Sequence, residues 1–311
     1  MILVTGATGF IGQHVVARLA GAGHEVRCLV RPAFKERTLP PGVRVHMVAA
    51  DLADVPALRV AMHNVDAVIH LAAVWTERGQ QTFDAVNRQG TANLIEAARE
   101  VGATRLIFSS FPGADGNSAY TFLRGKALAE EAVRCSDLKF TILRPSWVYG
   151  PGDAWTTRIA MTLQAIPFFF PVIGNGQTRI QPLWAQDLAL CIERCLDNPR
   201  TFSQTIALGG PGYLTFNDAL DAIAQTLNVR RRKVFIRAPV AYELAEMMER
   251  LLPSPLLTMT TVDLLNVDTT TDLGSVKRNF GFEPARFAAA LDYLRGQPWR
   301  RRFWGCLFGR A

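Results

Sequence analysis

Features that mark secreted, metal-binding or membrane-spanning chains are absent from this sequence. Its 311 residues include five cysteines, an odd number without a C-x-x-C pair, so neither a disulfide framework nor a cysteine-rich metal site is expected. Cys191 and Cys195 could share one helix face, but no histidine follows His70 to complete a metal site. We therefore interpret both as small core residues, and we expect a reducing compartment and no bound metal.

Long hydrophobic runs are also missing. The longest strongly apolar stretch of the second half, residues 165–174, contains two prolines and is shorter than the roughly 20 residues that span a bilayer. The first apolar strand begins at Met1 without a preceding basic segment, so no signal peptide is expected. These absences predict a cytoplasmic protein that lies at most on the inner face of a membrane.

Acidic residues are outnumbered, with 27 Asp and Glu against 34 Lys and Arg, for a net charge of +7. A basic balance favours anionic partners. The segment Trp299–Arg310 holds four arginines, four aromatics and no acid, a composition that suits an anionic membrane surface or a docking groove on a partner. The alternative is a terminal segment folded onto its own domain. Arg230–Lys233 leads directly into apolar residues, so it predicts the start of a strand rather than nucleic-acid binding.

Short apolar runs alternate with helical patterns through the first 145 residues. Strands are predicted over residues 2–4, 25–30, 43–48, 66–70, 105–109 and 139–143, and helices over 10–20, 82–101 and 119–135. Continuous apolar strands separated by helices indicate an α/β fold with a doubly wound parallel sheet covered on both faces.

The alternation of short apolar runs and helical patterns ends after Pro145, where prolines and glycines cluster. A helix over 186–196 and a strand over 205–208 are predicted to return to the first sheet, and helices over 217–227 and 240–252 form a smaller, mostly helical C-terminal region. Phe168–Phe170 is expected in the core, with a substrate pocket, a quinone pocket or a partner contact as alternatives. The predicted domains are 1–150 plus about 183–210, then 151–182 plus 211–298, and a basic aromatic tail over 299–311.

Glycines recur at every third position directly after the first strand, at Gly6, Gly9 and Gly12. The first allows a sharp turn, the second lets the backbone approach a pyrophosphate, and the third lets the helix pack closely on the sheet. The helix N-terminus then presents N–H groups and a positive dipole end. This strand–turn–helix context predicts a dinucleotide site that also includes Thr8, Phe10 and Ile11.

No acid stands at the end of the second strand, where an NAD site usually places Asp or Glu for the ribose hydroxyls. The chain has Arg31 there, followed by Lys35 and Arg37. A carboxylate would repel a 2′-phosphate, whereas the fork of N–H groups on Arg31 can bind it. We therefore predict NADPH rather than NADH, with Arg31 and Lys35 as cofactor residues. A solvated loop arginine is the alternative.

These motifs and several later ones resemble the extended, or atypical, short-chain dehydrogenase/reductase family, whose Rossmann fold is shared by NAD-dependent epimerases and dehydratases. Thr5–Gly12 resembles the family's opening motif, and Arg144–Gly152 resembles the segment that passes the nicotinamide. The resemblance covers roughly residues 1–152. It implies further cofactor contacts at Asp51, Leu52, Leu71, Ala72, Ala73, Asn87, Ser109, Lys126, Pro145 and Val148.

The resemblance also identifies catalytic groups that this chain lacks. The family carries Tyr-x-x-x-Lys on one helix face, where the lysine holds the ribose and lowers the pKa of the phenol that transfers the proton. The matching run here is Phe122–Lys126, so the lysine remains while a phenyl ring replaces the phenol. The family's serine or threonine beyond the fifth strand is replaced by Phe111.

Four residues remain as catalytic candidates. The resemblance implies Lys126 and Asn87. Tyr120 could replace the phenol only through an irregular first turn, because six residues place it roughly 120° around the helix from Lys126. Ser110 could rotate into the place of the missing hydroxyl, although a regular strand would point it away. A proton donor contributes about 10²–10⁴-fold, so its loss slows such catalysis without forbidding it.

Segments from both halves of the chain resemble one branch of the family, the NADPH-binding accessory subunit of respiratory complex I and its bacterial relatives. Residues 122–131, 251–257 and 262–268 carry this resemblance. It implies a protein that holds NADPH as an accessory subunit or assembly factor of a membrane complex. The alternatives are an NADPH-dependent oxidoreductase, a sugar-nucleotide epimerase or dehydratase, or a redox sensor whose partner binding depends on the nucleotide.

Overall fold

The computed structural model describes residues 1–31, 39 and 42–308. The chain forms two compact units. The first contains Met1–Pro145, Ala185–Leu208 and Gly274–Phe282, and the second contains Ser146–Trp184, Gly209–Leu273 and the described residues from Glu283 onward.

A seven-stranded sheet forms the centre of the first unit, in the order β11-β6-β5-β4-β1-β2-β3. Every neighbouring pair in it is parallel. The order reverses between β1 and β4, and ligands of such sheets bind beyond the carboxyl ends of the strands at this point. The predicted fold class is confirmed. The strands are β1 Ile2–Thr5, β2 Val26–Val30, β3 His46–Ala49, β4 Ala67–His70, β5 Arg105–Ser109, β6 Lys139–Pro145 and β11 Gln204–Leu208.

Helices cover the sheet and bury its apolar side chains. One core cluster joins Leu3, Val68 and Leu106 of the strands with Leu58 and Leu94 of the helices. Burying each such side chain contributes roughly 1.5–3 kcal/mol. The helices of this unit are α1 Phe10–Gly21, α2 Val55–Ala61, α3 Gly90–Glu100, α4 Thr121–Arg134, α6 Ala185–Cys195 and α10 Ser275–Phe280.

The helix predicted over residues 82–101 has two parts. A π-helical segment, Phe83–Gln89, precedes α3, and Asn87 lies inside it. The Thr91 hydroxyl donates to the Asn87 carbonyl at 2.5 Å, across the junction. Wide turns of this kind are frequent at functional sites, and apolar periodicity alone does not reveal them.

The segment Gly274–Phe282 was expected in the smaller domain, but it belongs to the first unit. The Ser275 hydroxyl donates to the Ala207 carbonyl next to the sheet edge, and the Arg194 guanidinium donates to the Phe280 carbonyl. Phe280 itself is buried. These contacts join residues about 70 to 90 positions apart, which local patterns do not report.

The second unit is mostly helical, with three two-stranded sheets that pair β7 with β10, β8 with β13, and β9 with β12. Its strands are β7 Val148–Tyr149, β8 Phe169–Ile173, β9 Arg179–Ile180, β10 Leu183–Trp184, β12 Leu214–Thr215 and β13 Arg232–Ile236, and its α-helices are α5 Trp155–Ala165, α7 Phe216–Thr226, α8 Ala238–Leu251, α9 Met259–Leu264 and α11 Trp299–Phe308.

The core assignment of Phe168–Phe170 is wrong for two of its three residues. Phe168 is 78% exposed and Phe169 is 44% exposed, whereas Phe170 is buried. The pairing of β8 with β13 alternates the faces of successive side chains, so only one of two neighbouring rings in the strand can face inward.

The expected separate tail is also corrected. Trp299, Phe303 and Cys306 are buried at helical spacing, and α11 packs on α5 within the second unit. This outcome matches the alternative of a segment folded onto its own domain, while Arg310 lies outside the described residues. Among the helices that the structure describes, none is long and apolar enough to cross a membrane.

Candidate functional site

The loop between β1 and α1 is shaped by its three glycines. Gly6 has a positive φ of 67°, and a Cβ there would lie 2.7 Å from the backbone nitrogen of Ala72. A Cβ at Gly12 would lie 2.1 Å from the Gly6 carbonyl oxygen. Gly9 precedes α1 without a side-chain cap, and no acid lies in the first turn of that helix. Among the described residues, therefore, no capping side chain occupies the first-turn N–H groups, and the cradle fits a pyrophosphate.

The other predicted residues of this loop, Thr8, Phe10 and Ile11, are half-buried. The Gln13 amide donates to the Thr8 carbonyl at 3.3 Å, which fixes the loop to the first turn of α1. The Phe10 ring meets the His14 ring edge-on, with 5.4 Å between the ring centres. The loop is thus held by its own helix.

The residues predicted to contact the adenosine half are placed as follows. Arg31 follows β2 directly and is half-buried, and Lys35 lies outside the described residues. Asp51 is exposed, and its carboxylate accepts the Ala53 N–H at 3.0 Å. Leu52 is buried. Their contacts with a nucleotide remain predictions.

A buried polar network, which the sequence did not predict, connects β1, β4 and α3. Thr5 Oγ1 accepts the Ala72 N–H at 3.2 Å and lies 2.6 Å from His70 Nδ1, while His70 Nε2 lies 3.0 Å from Thr91 Oγ1. Because the Thr91 hydroxyl donates to the Asn87 carbonyl, the proton of neutral His70 must be on Nε2. Burial, and then the charge of Lys126, lowers the pKa of His70 to about 3. His70 is therefore a neutral structural connector at physiological pH.

Asn87 lies at the end of this network and holds the loop after β4. Its Oδ1 accepts the Val74 N–H at 3.0 Å, and its Nδ2 donates to the Val74 carbonyl at 3.5 Å. Asn87 is 2% exposed, whereas the loop residues 71–73 are half-buried. The Asn87 amide thus holds the backbone of Val74, which directly follows the predicted cofactor residues 71–73.

Lys126 is buried on α4, with 5% of its surface exposed. Its Nζ donates to the Ser109 carbonyl at 2.9 Å and lies 5.3 Å from the centre of the Phe108 ring. Burial lowers the pKa of Lys126 to about 8, while Glu130, one turn along the helix, opposes that shift. The structure thus brings together two predicted site residues, Lys126 and Ser109, through the backbone of the latter.

Glu130 anchors α4 to β6 and was missed from the sequence. It is fully buried, and both carboxylate oxygens accept from Arg144, at 2.7 Å and 2.6 Å. Arg134 also donates to it. The hydrogen bond to Glu130 raises the pKa of Arg144. The i+4 spacing from Lys126 was the available signal, because it puts both residues on one face of the helix.

Four aromatic rings occupy the region where the family has its phenol and hydroxyl. Phe122 is 1% exposed and meets Phe83 and Phe111 edge-on, each with 5.8 Å between ring centres. Trp75 stacks on Phe122 at 4.7 Å and is 49% exposed. We call these four residues the aromatic cluster. Nothing in the sequence pattern had singled out Trp75, which follows the loop that Asn87 holds.

The two candidate replacement hydroxyls, those of Tyr120 and Ser110, lie in different surroundings. Tyr120 precedes α4 as its N-cap with an extended backbone, φ −84° and ψ 116°, and is half-buried. Ser110 is buried, its N–H donates to the Leu143 carbonyl at 2.7 Å, and its Oγ has no hydrogen-bond partner in the described part of the chain. Such an orphaned hydroxyl is available to a ligand, so Ser110 is the better placed of the two.

The remaining predictions concern the strands near the cofactor and the metal content. Pro145 ends β6 in the first unit, and Val148 begins β7 in the second. No cluster of metal-ligating side chains is found among the residues that the structure describes. Cys191 and Cys195 are buried free thiols of α6, as predicted for core residues.

Comparisons with known proteins agree with this geometry. A family model described as NAD(P)H-binding matches residues 6–169. The mitochondrial NADH dehydrogenase [ubiquinone] 1 alpha subcomplex subunit 9 of Arabidopsis thaliana is 29% identical over 317 residues, covering 95% of this chain and 78% of that protein. The mitochondrial NADH-ubiquinone oxidoreductase 40 kDa subunit of Neurospora crassa is 26% identical, covering 92% and 76%.

An enzyme is also among the relatives. Ceramide reductase of Caulobacter vibrioides is 31% identical over 194 residues, covering 61% of this chain and 58% of that protein. Among solved structures, dTDP-glucose 4,6-dehydratase of Streptomyces venezuelae with NAD and TYD bound superposes with a TM-score of 0.74 at 21% identity, covering 100% and 99% of the two chains. That likeness shows the fold.

The resemblance to the accessory-subunit branch is thereby confirmed. The matched region includes the glycine loop, the aromatic cluster and Lys126, and it spans more than half of the 311 residues. This protein belongs to the NAD(P)H-binding family and has an epimerase/dehydratase-like Rossmann fold.

Proposed function

We propose that this protein holds NADPH without turning it over, and that it serves as an accessory subunit or assembly factor of a membrane respiratory complex. The observation that carries this proposal is the aromatic cluster. Phe122 and Phe111 replace the proton-transferring groups of the family and pack against each other. A phenyl ring cannot donate a proton, so the cluster removes catalytic help while the glycine cradle keeps its shape.

The choice of NADPH rests on the end of β2. Arg31 is half-buried there and no carboxylate occupies the position, so a 2′-phosphate meets positive charge. We expect NADPH to bind roughly ten- to a hundredfold more tightly than NADH, the worth of one charged hydrogen-bonded contact. Arg31→Met should remove most of this preference and leave NADH binding unchanged. Titrations of nucleotide fluorescence measure both affinities.

Lys126 supports holding as well as catalysis. Burying an ammonium group costs free energy unless a partner compensates it. In the family, the lysine holds the ribose of the cofactor. We propose the same role for Lys126, with Asn87 positioning the loop after β4. When bound, the nucleotide would supply a hydride. The aromatic cluster provides no proton donor to accompany its transfer.

The relatives named as NADH dehydrogenase and NADH-ubiquinone oxidoreductase subunits support a partner of that kind. We propose that the protein sits on the inner face of the membrane at such a complex. The test is a pull-down of the tagged protein from gently solubilised membranes. Stoichiometric recovery of respiratory subunits supports the proposal, while recovery of the protein alone in the soluble fraction contradicts it.

Turnover provides the second arm of this test. The unaltered protein should oxidise NADPH no faster than buffer with any ketone offered. Phe122→Tyr alone is expected to add little, because the new hydroxyl enters an apolar cluster. Phe111→Ser combined with Phe122→Tyr restores both groups beside Lys126, and is the variant in which activity should emerge. Rapid turnover by the unaltered protein would end the proposal.

A second candidate is an NADPH-dependent reductase, favoured by the ceramide reductase relative and by the retained Lys126. It predicts NADPH oxidation with a carbonyl-containing lipid of the ceramide class. Lys126→Ala should then abolish turnover while nucleotide binding persists. Sugar nucleotides in the same assay test the epimerase or dehydratase alternative.

A further inference from the structure

A cavity of about 470 Å³ lies in the second unit between α5 and α11. This volume is within the roughly 300–1,000 Å³ range of small-molecule sites. Three arginines, Arg158, Arg301 and Arg302, contribute to its lining, and no acid among the described residues does. We call it the arginine cavity. The charged side chains that line it are therefore of one sign, which favours an anion over a neutral molecule.

Arg158 is the member of the set that is hardest to explain without a ligand. It is half-buried on α5, and burial lowers the pKa of its guanidinium. Among the described residues no hydrogen bond or ion pair satisfies that group. Asp153 acts on it electrostatically, but the Asp153 carboxylate already accepts from the Gly150 and Thr156 N–H groups and from the Thr156 and Tyr293 hydroxyls. An unpaired, half-buried guanidinium is costly unless an anion joins it.

Arg302 is held in place before any ligand arrives. Its guanidinium carbon lies 4.9 Å from the centre of the Trp299 ring. Trp299 is 3% exposed, and its indole N–H donates to the Leu294 carbonyl at 2.7 Å. A cation stacked on a fixed ring loses less freedom when it binds, which favours affinity.

The other residues that line the arginine cavity supply hydroxyl groups and an apolar surface. Thr157 and Ser254 supply hydroxyl groups, and buried Met161 and Cys306 supply an apolar surface. Thr157 also lies in the first turn of α5, an 11-residue helix with no acid in that turn and no side-chain cap. The positive end of that helix adds to the field of the arginines. Forked guanidinium donors and hydroxyls match the oxygens of a phosphate.

We propose that the arginine cavity binds a phosphate group, either as free phosphate or as the headgroup phosphate of an anionic lipid. The site lies wholly in the second unit and does not involve the glycine loop of the first. It therefore goes beyond the nucleotide-holding function and is independent of it. The apolar wall beside the arginines gives the organic part of a lipid headgroup a surface to contact.

The test is calorimetric titration of the full-length protein with two probes, inorganic phosphate and dihexanoyl phosphatidic acid below its micelle concentration. Saturable one-to-one binding is expected for at least one of them. Arg158→Met and Arg302→Met should each weaken it roughly ten- to a hundredfold, the worth of a charged hydrogen bond. Arg300→Met is the matched control, because it removes the same charge from the exposed side of α11 and does not line the cavity.

The two probes separate the sources of the phosphate. Equal affinity for both assigns free phosphate, whereas binding of the lipid alone assigns a headgroup, which vesicles of phosphatidylcholine with and without phosphatidic acid then check. Absence of saturable binding overturns the proposal, as does an equal loss in Arg300→Met and Arg302→Met. Arg158→Lys, which keeps the charge, should retain more binding than Arg158→Met. NADPH affinity measured on the same samples shows that the first unit is intact.

Discussion

Lys126 is expected to lower the stability of this protein, so its replacement by methionine should make the fold more stable at neutral pH. The side chain is 5% exposed, and burial lowers its pKa from 10.5 to about 8. A residue that destabilises the empty protein and lies beside the expected cofactor is best explained by what it binds. The variant Lys126→Met keeps the length of the side chain and removes the charge.

The size of the effect follows from the shift. The pKa of Lys126 falls from 10.5 to about 8 on folding. At about 1.4 kcal/mol for each pKa unit, burying the charged form costs roughly 3 kcal/mol. Against this, the variant loses the hydrogen bond from Nζ to the Ser109 carbonyl, worth about 1 kcal/mol. We therefore expect Lys126→Met to be more stable than the native protein by roughly 2 kcal/mol at pH 7.

The stability difference between the variant and the native protein changes sign with pH. Below pH 8 the lysine is charged in both the folded and the unfolded state, and the folded protein carries the full cost of burying the charge. Between pH 8 and 10.5 only the unfolded chain keeps its proton, so the native protein gains stability as the pH rises. The advantage of the variant should therefore shrink above pH 8 and become a disadvantage of about 1 kcal/mol near pH 10.5.

Urea unfolding at pH 7 and pH 9.5, followed by hydrogen exchange in peptides of α4 and β5, measures the difference within the first unit. Lys139→Met, which removes an exposed lysine of the same unit, is the control and should change stability by less than about 0.5 kcal/mol. NADPH affinity should fall in Lys126→Met. A variant that is less stable at pH 7, or a difference that does not change with pH, would refute the reasoning.

Three further substitutions test the loop, the α4 anchor and the polar network. Gly12→Ala places a Cβ 2.1 Å from the Gly6 carbonyl oxygen, so α1 must shift; NADPH titration should show a loss of at least about tenfold, with roughly 1–3 kcal/mol of overpacking cost. Glu130→Gln leaves the guanidinium of Arg144 without its buried counter-charge, and urea unfolding should show a loss of roughly 3 kcal/mol. Asn87→Leu removes the amide that holds the loop after β4; hydrogen exchange in that loop should rise, and stability should fall by roughly 1–3 kcal/mol.

Each of these variants has a neighbour that serves as its control. Gly21→Ala adds a Cβ in the same helix where nothing lies within 4 Å. Glu131→Gln removes an exposed carboxylate next to the buried one, and Gln89→Leu changes an exposed amide of the same π-helical segment. If a control matched its partner in effect, the specific contact would not be the cause.

The sheet and the glycine loop could be predicted because their signals are local. The strand, turn and helix around Gly6 occupy adjacent residues, and apolar periodicity reports directly which face each of them buries. The polar network could not be predicted in this way. Thr5 and His70 lie 65 residues apart and meet only because β1 and β4 are neighbours in the sheet. The sequence shows that Thr5 and His70 are polar. It does not show that each of their hydrogen-bonding atoms meets a partner in the fold.

The arginine cavity and the aromatic cluster cannot be predicted from the sequence for the same reason, because each joins residues from distant segments of the chain. The arginines of α11 suggested a membrane surface, but Arg158 comes from a helix about 140 residues earlier in the chain. Phe111 and Phe122 were identified as departures from the family pattern, while Trp75, which stacks on one of them, was not. Contacts between distant segments decide what these side chains do.

The aromatic cluster also explains why the two departures belong together. The rings of Phe111 and Phe122 are in edge contact, and Phe122 is further enclosed by Phe83 and Trp75. A single hydroxyl restored among these rings would be desolvated without a partner, at a cost of roughly 1–3 kcal/mol. Two restored hydroxyls next to Lys126 could bond to each other. We therefore expect the two missing groups to be coupled, with a site that keeps one phenylalanine less stable than a site that keeps both. The expected coupling supports the proposal that the protein holds a nucleotide beside an apolar surface, rather than the alternative of an enzyme that has lost one catalytic group.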